Sequence, residues 1–306
     1  MTGRAVTGGV LVVVASSVAA WALAVPQNTL AGTLVRALAD CAAVVTLGLT
    51  VVPMLDVDRY RAELTRHATT PLAMSSAAWL VAEAVRMVVA AADAAAVPVT
   101  RLGVQSALDF ATHTTVGRAG LVSVGAALVV LVAAVATPRT GAIGVATAGV
   151  AAAGLTARTL AGHLSESPLG GAAVAVHALA AALWCGALAA LVLTVSHRGQ
   201  WARVLPRFSQ LALWCVGVLL VGGLVGAVAT LSSPTALYAT GYGRVLSAKI
   251  VVTAGLVVLA WRNRASWLPA ARAHRATAVL SRSRSLFELA FMAVALSLAA
   301  GLAVTG

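Results

Sequence analysis

Nine stretches of this chain stay apolar long enough to cross a bilayer, near residues 8–25, 31–55, 71–93, 119–137, 141–162, 169–196, 208–231, 243–261 and 285–305. A helix needs about 20 residues to span hydrocarbon. Inside hydrocarbon every backbone N–H and C=O must be paired within the segment, so such runs fold as helices. A β-barrel would show short alternating segments, and these runs are continuous. Composition agrees, because only 10% of the 306 residues are charged where a soluble domain carries about 25%. The expected fold is an all-α polytopic transmembrane bundle. It forms one integral membrane domain over residues 1–306, with about nine helices.

The first run, MTGR followed by an apolar stretch and ALA at 22–24, also has the shape of a signal peptide. Its removal would leave eight helices; its length favours a retained span. The net charge of +12 raises nucleic acid as a partner. The distribution of that charge argues for membrane lipids instead, since the arginines cluster in short loops. With the N-terminus inside, the inner loops carry Arg59, Arg61, Arg66, Arg139, Arg198, Arg203, Arg207, Arg262, Arg264, Arg272, Arg275, Arg282 and Arg284. The outer loops and their edges carry only Arg101, Arg118 and Arg244. The positive-inside rule then places the C-terminus outside. Trp201, Trp261 and Trp267 are expected at the inner boundary and Trp21, Tyr238 and Tyr242 at the outer one.

The loops are short. LGVQSALDFA, within the outer connection 94–118, reads as a short amphipathic surface helix. The basic connection 262–284 reads as a contact with anionic headgroups. No Walker A motif, dinucleotide fingerprint or HExxH occurs, so the chain is not expected to be an enzyme.

Ionisable residues inside the spans carry the functional information, because they are costly there. Asp40, Glu83, Arg86 and Lys249 fall in the expected outer half, and Glu288 lies near the inner end of the last span. Together they are the expected lining of a polar cavity. Arg36 and Asp40 are four apart and Glu83 and Arg86 three apart, spacings that also let each pair neutralise itself on one helix. His163 stands at the exit of one span and His177 about two turns into the next. Neutral imidazoles ligate copper, zinc or haem iron, so His163 and His177, with His113 as a third, are candidate metal ligands. Histidines that only bridge helices are the alternative. Cys41, Cys185 and Cys215 form no CxxC and read as small packing residues.

At this point the residues resemble a known family. GHLSESPLGGAAVAVHALAAALWCGALAAL, RFSQLALWCVGVLLVGGLVGA, YATGYGRVLSAKIVV and the closing SLFELAFMAVALSLAAGLA are similar to elements of the copper-resistance D family. The best match runs over residues 161–305; VRALADCAAVVTLGLTVVPML resembles the N-terminal part of actinobacterial members. The resemblance implies copper handling at the inner membrane, with copper transport through an outer-leaflet histidine site formed by His163 and His177. The implied cargo is a copper ion in either oxidation state. Trp184 and Gly186 match the family's W-x-G, and Tyr242, Gly243 and Arg244, with Lys249, its Y-G…K element. Cys185 departs from the aliphatic residue common there. Some relatives carry this part fused to a cytochrome c oxidase assembly factor. The implied partners are therefore an extracellular copper donor or an oxidase assembly protein. Two rival readings are a b-type haem electron-transfer protein and a non-transporting copper chaperone or scaffold for oxidase assembly.

Overall fold

The structure is a computed structural model that describes residues 2–26, 29–136, 140–161, 168–230, 235–273 and 275–305. His163 and Glu166 lie outside the described residues, as do Arg139 and His274. Twelve helices follow one another among the described residues, with no strand. They are α1 (Thr2–Ala24), α2 (Leu30–Val51), α3 (Asp58–Ala94), α4 (Val104–His113), α5 (Thr115–Ala136), α6 (Gly141–Leu160), α7 (Pro168–Thr194), α8 (Arg198–Thr230), α9 (Ala236–Ala239), α10 (Gly241–Arg262), α11 (Leu268–Arg272) and α12 (Ala278–Thr305). Nine of these helical stretches are long and apolar enough to cross a membrane.

Helices α2 and α7 form the centre. Buried residues make up 61% and 56% of their most apolar windows, against 11% for α8. Helices α1 and α12 pack on α2, with α10 against both of them; α3 and α6 also pack on α2, with α5 against both; α8 lies along α7. Small residues set these distances. A Cβ on Gly48 of α2 would collide with the Gly186 carbonyl of α7, and one on Gly186 with the Val44 carbonyl. The two backbones touch there, the way small residues join membrane helices. Gly154 of α6 makes room in the same way for Ala126 of α5 and Trp79 of α3. Ser16 of α1 and Ser297 of α12 share a 2.8 Å hydrogen bond across their interface.

Several helices run past their expected ends. Helix α3 starts at Asp58 rather than near 71, with Pro71 inside it, and α8 starts at Arg198 rather than near 208, with Pro206 inside it. The added turns, DRYRAELTRHATT in α3, are too polar to register as a span, yet they are good helix formers. Helix α4 forms where the short amphipathic helix is expected.

These extensions build a solid basic end. There Arg203 of α8 grips Asp56 with two 3.1 Å bonds, and its guanidinium lies 4.0 Å from the Tyr60 ring centroid. Gln200 bonds Glu63 at 3.0 Å. Arg207 reaches the Leu55 carbonyl at 3.3 Å, and Arg264 reaches Ser209 Oγ at 2.6 Å. Trp201 and Trp267, expected at a lipid boundary, are instead 2% and 3% exposed, with ring centroids 6.0 Å apart. The lengthened helices give those rings an interior, and the Trp267 indole N–H bonds Ser281 at 3.0 Å. Trp261 and Tyr238 face outward.

Candidate functional site

The five residues expected to line one polar cavity fall in three places. The first is a buried charge cluster where α2, α3 and α6 meet. Glu83 is fully buried and accepts from Arg86 Nε at 2.9 Å, Arg86 Nη2 at 2.6 Å and Arg158 Nη1 at 2.9 Å. Arg158 Nη2 donates to Asp40 Oδ1, so this one side chain of α6 ties α3 to α2. Arg36 stands beside Asp40, its Nε 3.7 Å from Oδ2. Three arginines thus meet two carboxylates. Asp40, Glu83 and Arg86 come together as a closed network rather than as open ligands, because Arg158 occupies both acids.

Arg158 is the residue that sequence reasoning undervalued. It lies within a turn of the end of α6, on the same face as Gly154 four residues earlier. Gly154 lets α6 approach α3 and α5, which brings the guanidinium within reach of both acids. The available signal was an arginine in an apolar run with carboxylates in two other runs. One-helix spacing pairs each acid with its own neighbour and cannot show a bridge between helices.

The second place is His177 on α7. Its Nδ1 lies 2.8 Å from the Leu219 carbonyl of α8. A carbonyl only accepts, so Nδ1 carries the proton and Nε2 keeps its lone pair. The glycine pair of α8 makes room for the ring: a Cβ at Gly222 would sit 3.0 Å from His177 Cβ, and one at Gly223 3.3 Å from Cε1. Lys249 of α10 is within electrostatic reach of this imidazole.

The third place is Glu288 on α12, 3% exposed, accepting a 2.7 Å bond from Asn263 Nδ2. Asn263 opens a π-helical turn, Asn263–Trp267, which continues α10. The Trp184 indole lies beside the Glu288 carboxyl without a close hydrogen bond.

The remaining predicted residues, His113 apart, serve the frame. Trp184 is core, 3% exposed, and Gly186 is the α2 contact. Thr240 caps α10 through the Gly243 N–H at 2.9 Å. Arg244 donates to the Leu23 carbonyl at 2.9 Å, tying α10 to the end of α1, and Tyr242 packs in that cluster. His113 ends α4 with its side chain 77% exposed, 3.8 Å from Asp109. Among the described residues no three His, Cys, Asp or Glu side chains converge as a metal cage.

Comparison with known proteins bears on this arrangement. The profile of the family described as Copper resistance protein D-like, N-terminal domain, matches residues 27–172, and that of Copper resistance protein D matches residues 202–302. The chain belongs to the copper-resistance protein D family. The buried charge cluster lies wholly within the N-terminal match, and the Tyr242–Lys249 element and Glu288 lie within the second. Residues 173–201, with His177, Trp184 and Gly186, fall between the two. A curated relative, the Copper transport protein CutJ of Bacillus subtilis (strain 168), is 33% identical over 115 residues. That alignment covers 34% of this chain and 21% of the relative, so the chain spans about a fifth of the length of the protein it matches. No solved structure matches. The chain is a multi-pass membrane protein of this copper-resistance family.

Proposed function

We propose that this protein moves copper across a bacterial plasma membrane, with His177 as a ligand on the path and His163 as its second. The observation that carries the reading is the tautomer of His177. Its Nδ1–H is held by the Leu219 carbonyl, which leaves Nε2 as a lone-pair donor on a ring packed beside the two glycines of α8. Metal-binding imidazoles are oriented by such a bond on the other ring nitrogen. Lys249 nearby adds an amine whose positive charge weakens cation binding there. Conduction needs a site that releases as well as binds.

In this reading the arginine-rich end, with Arg203, Arg207 and Arg264, faces the cytoplasm and the C-terminus lies outside. Copper arrives from an extracellular donor or the free ion and leaves on the other side without covalent chemistry. The charge cluster of α2, α3 and α6 then anchors the outer end of α6. No ATP motif is present, so the driving force is the ion gradient itself or coupled protons.

The test is copper content, visible spectrum and liposome copper flux of the purified full chain, wild type beside His177→Gln and the double His163→Ala/His177→Ala. The reading expects flux in the wild type that falls at least tenfold in both variants. A Soret band in the wild type that is lost in the double variant would move the protein to the haem class. Copper bound without flux would make it a scaffold.

A further inference from the structure

The buried cluster holds one more arginine than carboxylate, and uncompensated charge at that depth is expensive. Two of the arginines are used. Arg86 and Arg158 donate through their forks to Glu83 and Asp40. Arg36 is not. Among the described residues it makes no hydrogen bond, and its one ion-pair contact is the 3.7 Å approach to Asp40. Its side chain is only 20% exposed, and its Nε is buried without a partner. Arg158 Nε, on a side chain 5% exposed, is buried without a partner as well. A planar five-donor group four-fifths buried therefore lies within electrostatic reach of a second guanidinium, and neither its Nε nor the Nε of Arg158 has an acceptor among the described residues.

We propose that Arg36, with Arg158 behind it, binds a small monovalent oxyanion of the carboxylate or bicarbonate class at the α2–α6 junction. The class follows from charge and shape. One positive charge is in excess, so one negative charge balances it and a dianion overshoots. A guanidinium fork presents parallel N–H groups, which match two oxygens on one planar centre better than a spherical halide. A bare metal cation is repelled by the cluster as it stands. The bound anion neutralises the cluster and lowers the barrier to a cation moving through the same end of the bundle. The proposal stands independently of His177.

The experiment is thermal unfolding of the full chain in detergent, with sodium chloride replaced stepwise by sodium formate or bicarbonate at constant ionic strength. Because Arg36 makes no hydrogen bond, Arg36→Gln is expected to fold. Arg36→Lys keeps the charge and loses the fork. In the wild type a hundredfold excess of formate over its Kd raises Tm by about 5 °C. Arg36→Gln abolishes the rise, and Arg36→Lys reduces it. Absence of a rise in the wild type overturns the proposal, and so does an equal rise in Arg36→Gln. A formate effect that appears only after Glu166→Gln means that the chain's own carboxylate fills the fork, which also overturns it.

Discussion

Replacing Glu83 by Gln probes what holds α2, α3 and α6 together. The change conserves shape, so no cavity opens. It removes the carboxylate that is fully buried and accepts three N–H bonds of 2.6–2.9 Å from two arginines. A glutamine keeps one acceptor oxygen and turns amide hydrogens toward guanidinium donors. The excess positive charge of the cluster doubles. Removing one partner of a buried pair costs about 3–5 kcal/mol, and Glu83 serves two partners, so the upper part of that range is expected. Arg36→Gln is the matched control. Its pair is 3.7 Å apart, a fifth exposed and without a hydrogen bond, so its loss costs about 0–1 kcal/mol. It also removes the excess charge. The two variants should therefore differ by about 3 kcal/mol, more than a hundredfold in the unfolding constant. Reversible unfolding in mixed micelles of mild detergent and dodecyl sulfate, followed by circular dichroism, reads that difference. If Glu83→Gln stays within 1 kcal/mol of wild type, or Arg36→Gln costs as much, the cluster is not held as described.

Other expectations follow from the same contacts. Gly186→Ala drives a methyl into the Val44 carbonyl and should cost about 3 kcal/mol or more, since overpacking meets backbone rather than a movable side chain; the same unfolding assay checks it. Gly223→Val crowds His177, because the added Cβ would sit 3.3 Å from Cε1, so copper flux should fall while helix content by circular dichroism stays unchanged. Arg203→Met leaves Asp56, 2% exposed, with only the Val57 N–H at 2.9 Å among the described residues; about 2–3 kcal/mol should be lost, discounted because Arg203 itself is 28% exposed. Trp267→Phe removes the bond to Ser281 and should cost about 1 kcal/mol.

Much of this protein is legible in the sequence because hydrocarbon imposes simple local rules. The runs at 31–55, 119–137 and 141–162 match α2, α5 and α6 closely, since a span is a matter of length and hydropathy. The starts of α3 and α8 are less visible, because polar helical turns such as DRYRAELTRHATT lie outside any hydropathy criterion. Arg36–Asp40 and Glu83–Arg86 can be read as pairs from their spacing. That Arg158 joins them cannot, since its partners are 118 and 75 residues away. Lys249 joins the expected cavity by depth and Glu288 only as an ionisable residue inside a span; helix packing brings the first within electrostatic reach of His177 and the second against Asn263.

The sequence by itself determined the class of solvent, the number of spans, the residues costly enough in hydrocarbon to need partners, and the family resemblance. These depend on local composition or on residues close in the chain. Tertiary structure decided who those partners are. It set Arg158 between two acids, left Arg36 without a hydrogen bond, and turned His177 Nδ1 onto the Leu219 carbonyl. Such choices rest on which helices touch and at what height, and here that is fixed by glycines such as Gly48, Gly154 and Gly186, where the missing Cβ lets two backbones meet.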